Sequence, residues 1–229
     1  MLGVLVHRGY IHSFKVYVSG KVRAENLYYL SKQGITLMQE HKNAFTDPIQ
    51  EHTGNAVVRD YHHRHYYVTC IIAARQYLDR NNIKIEYQYS YYTKSGSNKA
   101  KNLTAKTTIP LAGKGYFVPD GVLKTASKLY LIELYNDYGN IRRVITSLHT
   151  HAQAISLSTP AVTFGIKDDP IILAVFTHYS TMKSVIKRLS ENEDFAAFAN
   201  LYYFTTLESV IADFGDAFRS IHGNPLTII

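Results

Sequence analysis

The chain is poor in cysteine and has no tryptophan: among its 229 residues, Cys70 is the single cysteine. One thiol excludes a disulfide framework and a cysteine-based zinc site, and it fits a reducing compartment. Cys70 lies among Val68, Ile71 and Ile72, an apolar setting that predicts a buried and inert thiol.

Long apolar runs are also missing. No run reaches the roughly 18 residues that a transmembrane helix needs. The first residues carry no charged segment ahead of their short apolar run, so we expect no secretion signal. These features predict a cytoplasmic protein without a membrane partner.

Several nucleotide and hydrolase motifs are absent as well. The chain has no P-loop, no Gly-x-Gly-x-x-Gly turn and no Gly-x-Ser-x-Gly elbow. The sequence therefore does not support nucleotide hydrolysis, dinucleotide binding or α/β-hydrolase chemistry.

The composition that remains is that of a basic globular domain. Hydrophobic residues make up 46% of the chain, enough for one sizeable α/β core. The formal net charge is +7, with a sequence pI near 9.3. Such an excess of positive charge either serves solubility alone or meets a phosphate-bearing partner, and DNA is the partner that we predict.

The first part of the chain has a separate pattern. Residues 1–40 predict a strand pair and a short helix: residues 5–18 alternate between apolar and polar, Ser19-Gly20 forms a turn, and the segment 26–34 follows. Residues 41–58, which contain proline, glycine and polar side chains, predict a linker. The core then occupies 59–229.

This core has a pattern of alternating helices and strands. The predicted order is α-β-β-β-α-β-α-β, with a basic loop after the first strand. The elements are a helix over 59–80, strands over 83–91, 115–119 and 128–135, a helix over 141–157, a strand over 170–177, a helix over 181–189, a strand over 201–205 and a helical turn over 207–214.

Two carboxylates stand out in this core. Asp120 ends an apolar run at a Pro-Asp-Gly turn, and Glu133 interrupts a second apolar run. A buried acid is costly unless a cation or proton compensates it. Two acids on neighbouring strands offer the hard oxygen ligands that Mg²⁺ or Mn²⁺ prefers, and the Leu134 carbonyl could add a third. The alternative is an ordinary turn beside a glutamate on an exposed edge strand.

The arrangement resembles the PD-(D/E)xK nuclease core, in which the acids bind a divalent metal and a lysine two residues after the second acid orients the nucleophile. Here Tyr135 stands in the lysine position. A compensating cation could come from Lys124 or from the helix after the strand, where the candidates are Arg142, Arg143, His149 and His151. Asp137 could supply a further acid.

The histidines form a second cluster. His62 and His65 share one face of the first core helix, with Asp60 close by, and could join the metal site. They could equally be exposed histidines near a helix end. His149 and His151 point about 200° apart on a helix, so we expect only one of them at the site.

Basic and aromatic residues suggest a nucleic-acid surface. The predicted phosphate contacts are Lys94, Lys99, Lys101 and Lys106 in the basic loop and Lys183, Lys187 and Arg188 on the later helix. Lys15, Lys21 and Arg23 could touch the DNA backbone from the first part of the chain. The tyrosine-rich strand with Tyr87, Tyr89 and Tyr91 also allows an RNA-binding module that stacks on bases.

Short motifs across most of the chain resemble the plasmid replication-relaxation family, whose members join a winged helix-turn-helix to a degenerate restriction-endonuclease-like core. They are Leu5 to Gly34 as a partial wing, Tyr61 to His65, Phe117 to Leu123, Leu131 to Tyr135 and Tyr202 to Thr206. In this resemblance the recognition helix would lie before Met1, so we expect either a degenerate domain or a chain that starts partway through it. The resemblance implies an αβββαβ core, Asp120 and Glu133 as metal ligands, and processing of plasmid or mobile-element DNA.

The interpretation that follows is a metal-dependent, relaxase-type endonuclease that nicks double-stranded, supercoiled plasmid DNA with accessory relaxosome proteins. The predicted catalytic residues are Asp120, Glu133, Tyr135, Arg143 and His149. Water is the expected nucleophile, and a phosphotyrosyl intermediate at Tyr135 is the alternative. The rival function is a non-catalytic DNA-binding accessory or replication regulator with the same fold.

Overall fold

The computed structural model describes residues 2–16, 25–41, 61–95, 104–111, 113, 115–136 and 140–229. The chain divides into two compact units, Met1–Tyr61 and His62–Ile229. The linker predicted over 41–58 lies outside the described residues. No helix in the described ranges is long and apolar enough to cross a membrane.

The first unit is a β-hairpin flanked by helices. Its elements are α1 (Leu2–His7), β1 (Ile11–Val16), β2 (Glu25–Leu30) and α2 (Lys32–His41). The strands pair antiparallel, with Ile11 opposite Leu30, so the predicted strand pair is confirmed. Lys15 is exposed on β1, whereas Ser19-Gly20, Lys21 and Arg23 lie outside the described residues.

The short helix predicted within residues 1–40 follows the strand pair. Residues 25–30 pair with the first strand, and the helix begins only at Lys32. Ser31 marks the boundary, because its Oγ accepts a hydrogen bond from the Gly34 amide at 3.0 Å, which is how an N-cap starts a helix.

The second unit contains the alternating helices and strands of the core. The elements are α3 (Tyr61–Arg80), β3 (Ile85–Ser90), β4 (Lys94–Ser95), β5 (Thr104–Ala105), β6 (Ile109–Pro110), β7 (Tyr116–Phe117), β8 (Gly121–Thr125), β9 (Leu129–Tyr135), α4 (Ile141–Ser156), α5 (Thr159–Phe164), β10 (Ile171–Phe176), α6 (Tyr179–Ser190), α7 (Glu193–Ala196), β11 (Tyr202–Thr206), α8 (Leu207–Ala212) and β12 (Arg219–Ser220).

The main sheet has the strand order β12-β11-β10-β9-β8-β3. Strands β3, β8 and β9 form an antiparallel meander, whereas β9, β10 and β11 run parallel and are connected through helices. The α/β class is therefore confirmed. Because β8 runs opposite to β9, the start of β8 lies beside the carboxyl end of β9 and of the parallel strands next to it.

Helices cover both faces of this sheet. One apolar cluster joins the sheet to α4 and α6, and a second joins its other face to α3 and α8. Alternate residues of β9 enter the two clusters: Leu131 packs toward α4, while Ile132 and Leu134 pack toward α3. This alternation places Glu133 on the α4 side.

The strand predicted over 115–119 is misplaced. Residues 116–117 make only a short pair with Ile109–Pro110, and the sheet strand begins at Gly121. Pro119 has no N–H to donate to a strand ladder, so pairing with β9 starts after it. Asp120 therefore precedes its strand instead of ending one.

Gly121 follows Asp120 directly and packs against the Tyr67 ring. A Cβ at this glycine would lie 2.7 Å from Tyr67 Cε2, closer than packed carbon atoms allow. We expect Gly121→Ala to destabilise the fold by roughly 1–3 kcal/mol. Thermal unfolding should show a Tm lowered by about 2–4 °C per kcal/mol.

Gly115→Ala is the matched control, because its added Cβ would make only ordinary contacts of 3.6 and 3.7 Å. An unchanged Tm for Gly121→Ala would mean that Tyr67 and the start of β8 are packed more loosely than described.

Candidate functional site

Asp120 and Glu133 meet at one edge of the main sheet. Gly121 pairs with Ile132 in the β8–β9 ladder, so the two acids follow as the next opposing positions. Both line a cavity of about 220 Å³. Its other walls are formed by His63, Val118, Leu134, Tyr135, Asn136, Arg143, Val144 and Ser147.

The Asp120 carboxylate is fixed by two neighbours. Its Oδ2 accepts a hydrogen bond from the Leu134 amide at 2.8 Å and lies 3.1 Å from His63 Nε2. The same Nε2 lies 3.2 Å from the Leu134 carbonyl oxygen. The Asp120 carboxylate and the Leu134 carbonyl oxygen therefore both contact the same nitrogen of His63 at the cavity wall.

Glu133 is buried and paired with a second histidine. Its Oε1 lies 2.7 Å from His151 Nε2, and the two side chains are 10% and 1% exposed. Burial raises the pKa of the Glu133 carboxyl well above its usual range, and nearby Asp120 raises it further. Burial lowers the pKa of His151 to about 3, so the imidazole is neutral at neutral pH.

The surroundings of His151 indicate which nitrogen carries its proton. The Phe117 ring packs edge-on against the imidazole at 4.6 Å, and Nδ1 has no hydrogen-bond partner among the described residues. With the proton on Nε2, His151 donates to Glu133 and leaves Nδ1 as a bare acceptor. The other tautomer would bury an unpaired N–H donor. One Glu133 oxygen is thereby held by His151.

Tyr135 forms part of the cavity wall with its hydroxyl already engaged. Its OH donates to Ser147 Oγ at 3.2 Å, and its ring packs 5.0 Å from that of Phe176. Burial, followed by the charge of Glu133, raises the pKa of the Tyr135 phenol well above its ordinary value. A phenolate nucleophile is therefore disfavoured.

The structure brings a different histidine of α4 to the site than the sequence predicted. His149 packs against Phe195 at 5.8 Å, and its Nε2 lies 3.4 Å from Asn192 Nδ2. His149 is not among the described residues that line the cavity, and the histidine beside Glu133 is His151. The buried stripe Val144, Leu148, His151, Ala152 and Ile155 has helical spacing and could have identified it.

A similar correction applies to α3. His63 lines the cavity, whereas His62 and His65 are not among the residues that line it in the described structure. Val68 and Ile72 have helical spacing in the sequence, but they lie on the exposed face of α3, with side chains that are 38% and 52% exposed. The buried side of α3 carries Tyr67, Cys70, Ile71, Ala74 and Leu78. His63 precedes Tyr67 by one helical turn and so shares its face.

Of the arginines and the lysine that were predicted as cations for the site, only Arg143 is among the described residues that line the cavity. Arg143 contributes to the cavity wall with an exposed side chain, and Arg142 is exposed on the same helix. Lys124 Nζ instead lies 3.3 Å from Glu86 Oε2. Asp137 lies outside the described residues.

The predicted DNA contacts are only partly described. Lys94 Nζ donates to the Tyr91 carbonyl at 2.9 Å, and Lys106 lies over the Tyr89 ring at 4.5 Å. On α6, Lys183, Lys187 and Arg188 are all exposed. Lys99, Lys101 and Asp60 lie outside the described residues.

The tyrosines proposed for RNA stacking face each other and the core. The Tyr87 and Tyr89 rings stack at 5.1 Å, and both pack against the apolar cluster beneath α4. The Tyr91 ring lies edge-on to His63 at 5.5 Å. Stacking on a base would therefore compete with contacts that these rings already make.

The donors at the cavity suit a hard divalent cation. Within the described ranges, no group of three or more histidine, cysteine, aspartate or glutamate side chains is arranged to hold a metal. The oxygens available at the cavity are the carboxylates of Asp120 and Glu133 and the Leu134 carbonyl, which contacts the same His63 nitrogen as Asp120, and oxygen donors of this kind suit Mg²⁺ or Mn²⁺ with water as further ligands.

Comparisons with known proteins gave no match: no family model matches the chain, and neither the curated proteins nor the solved structures include a significant match.

The raised pKa of Glu133 makes its charge costly to the folded state. A carboxyl whose folded pKa is raised stabilises the fold below its unfolded pKa, and that stability is lost as pH rises through the folded pKa. We expect Glu133→Gln, which keeps an oxygen acceptor for His151, to raise the Tm at pH 7–8. The gain should be about 2–4 °C per kcal/mol of relieved burial cost.

The gain should vanish below about pH 4, where the carboxyl is protonated in both states. Neutral His151 also contributes stability that is lost as pH falls from about 6.5 toward 3. This contribution is common to the wild type and to Glu133→Gln. Asp169→Asn, at an exposed acid, is the control and should leave the Tm unchanged. A lower Tm for Glu133→Gln at neutral pH would show that the charged carboxylate stabilises the fold.

Proposed function

We propose that the protein is a divalent-metal-dependent DNA endonuclease of the nicking, relaxase type. The observation that carries the proposal is the pair of acids, Asp120 and Glu133, which face each other across the β8–β9 hairpin in one cavity with the Leu134 carbonyl. Arg143 adds a cation to the same wall. Acids with a nearby arginine suit the transfer of a phosphoryl group.

Mg²⁺ or Mn²⁺ would be held by Asp120, Glu133 and the Leu134 carbonyl. When bound, the metal lowers the pKa of a water and stabilises charge on the phosphate. The protein's own contribution is orientation: the Leu134 amide directs Asp120, and His151 directs Glu133. Arg143 would meet the phosphate charge.

The order of elements supports a nuclease core of the PD-(D/E)xK type. Helix α3 precedes an antiparallel three-strand meander, and a helix then leads to a parallel strand. This is the αβββαβ order that the resemblance to the replication-relaxation family implies. Plasmid DNA as substrate, relaxosome proteins as accessory partners and a cytoplasmic location belong to the same proposal.

A non-catalytic DNA-binding regulator is the second candidate, and one observation favours it. Tyr135 occupies the position of the usual lysine, and no lysine is among the described residues that line the cavity. Both acids are moreover held by histidines, at 3.1 and 2.7 Å. A fold that had lost its chemistry could keep such an arrangement.

The test is nicking of supercoiled plasmid in Mn²⁺ or Mg²⁺. We expect wild type to produce open circles, and Asp120→Asn and Glu133→Gln to lose more than the roughly 10–100-fold that outer partners of a metal site account for. Asp169→Asn should cut like wild type, because its side chain is exposed and does not line the cavity. Unfolding curves of all variants would exclude misfolding as the cause.

Cleavage that survives both acid substitutions would remove the site from the reaction. If no variant cuts plasmid carrying the native origin while DNA binding is intact, the regulator becomes the better assignment.

The engaged Tyr135 hydroxyl gives a second prediction. Because burial raises its phenol pKa, we expect water to be the nucleophile. Tyr135→Phe should then keep nicking within about threefold of wild type, a change of less than 1 kcal/mol in the barrier.

Denaturing gels of the reaction with labelled DNA should show no protein–DNA adduct. An adduct in wild type that disappears in Tyr135→Phe would instead establish a phosphotyrosyl intermediate.

A further inference from the structure

A second cavity adjoins the acid site at the carboxyl ends of the parallel strands. Its volume is about 390 Å³. Asn136 and Thr177 line it just after β9 and β10, and Leu207 and Glu208 line it just after β11. Carboxyl ends of parallel strands are where open α/β sheets bind ligands.

The two cavities share one lining residue. Asn136 lines both of them. The acid cavity takes Arg143 and Ser147 from α4, whereas the second cavity takes Tyr66 from α3 and Ile211 from α8. Helix α4 covers one face of the sheet, and α3 and α8 cover the other, so the two cavities lie on either side of the strand ends. A ligand that crosses the strand ends could therefore occupy both cavities.

The lining of the second cavity suits a flat ring with polar edges. Tyr66, Leu207 and Ile211 supply apolar surface, while the hydrogen-bonding groups come from Asn136, Thr177, His178 and Glu208. The Glu208 carboxylate would repel a phosphate, yet it accepts hydrogen bonds from the amino group of a base. The chemistry thus favours a nucleobase over a phosphate at this position.

We infer that the second cavity binds the nucleobase next to the phosphate that lies at Asp120 and Glu133. The inference rests on the proposed function, since it assumes a nucleotide phosphate in the acid cavity. A base stacked in a duplex cannot enter such a cavity, so the base must be unpaired or turned out of the helix. The preferred substrate is therefore DNA with an unpaired nucleotide at the cleavage position.

The test compares the binding of 2′-deoxycytidine 5′-monophosphate and 2-deoxyribose 5-phosphate to the full chain in Mg²⁺, by titration with NMR or calorimetry. These probes share the phosphate and differ by the base. We expect the nucleotide to bind about tenfold more tightly or better, as stacking on an aromatic side chain provides.

Ile211→Trp should fill the cavity and abolish the difference, while binding of the sugar phosphate stays unchanged. The Ile211 side chain is 59% exposed, so the variant leaves the core intact. Glu208→Gln should narrow the preference for the cytosine nucleotide over the thymine nucleotide, because its amide can also donate to a carbonyl.

Equal affinities for the two probes, or a nucleotide affinity that Ile211→Trp leaves unchanged, would overturn the inference even if plasmid nicking succeeds. Failure of the proposed function looks different. In that case deoxycytidine without phosphate would still bind and lose affinity in Ile211→Trp, while neither phosphate probe would respond to Mg²⁺ or to Asp120→Asn.

Discussion

The contact between Glu133 and His151 is the interaction on which the arrangement of the site depends. Glu133 sits in the middle of an apolar strand that is covered by α4, and its side chain is almost fully buried. A carboxyl in that position is destabilising unless a polar partner reaches it. His151 reaches it at 2.7 Å from the helix that packs on the strand. The packing of α4 and the orientation of the acid are therefore linked.

Asp120 is held by a different means, through the backbone of the neighbouring strand. Pro119 prevents pairing before Gly121, and the Leu134 amide donates to the carboxylate at 2.8 Å. Because Asp120 precedes its strand, its carboxylate can lie at the carboxyl end of the parallel strands. The site thus combines a buried acid whose charge costs stability with a partly exposed acid fixed by a main-chain donor. Functional sites often keep such costly groups because their chemistry needs them.

Local patterns in the sequence were sufficient for most of the core. Apolar runs predicted β9, β10 and β11 to within one or two residues, and helical spacing predicted α4. They failed where several short segments compete, as at 115–119, where Pro119 moved the strand beyond Asp120.

The sequence by itself determined the α/β class and drew attention to the two acids and the Leu134 carbonyl beside them, because apolar runs mark the strands and a carboxylate that ends or interrupts such a run stands out. Only the tertiary structure decided which histidines join them. His63 and His151 join the acids, whereas their near neighbours His62 and His149 do not. Within each pair, the two side chains occupy different faces of the same helix. Which face is buried depends on the sheet that the helix packs against, and that sheet is assembled from strands distant in the chain.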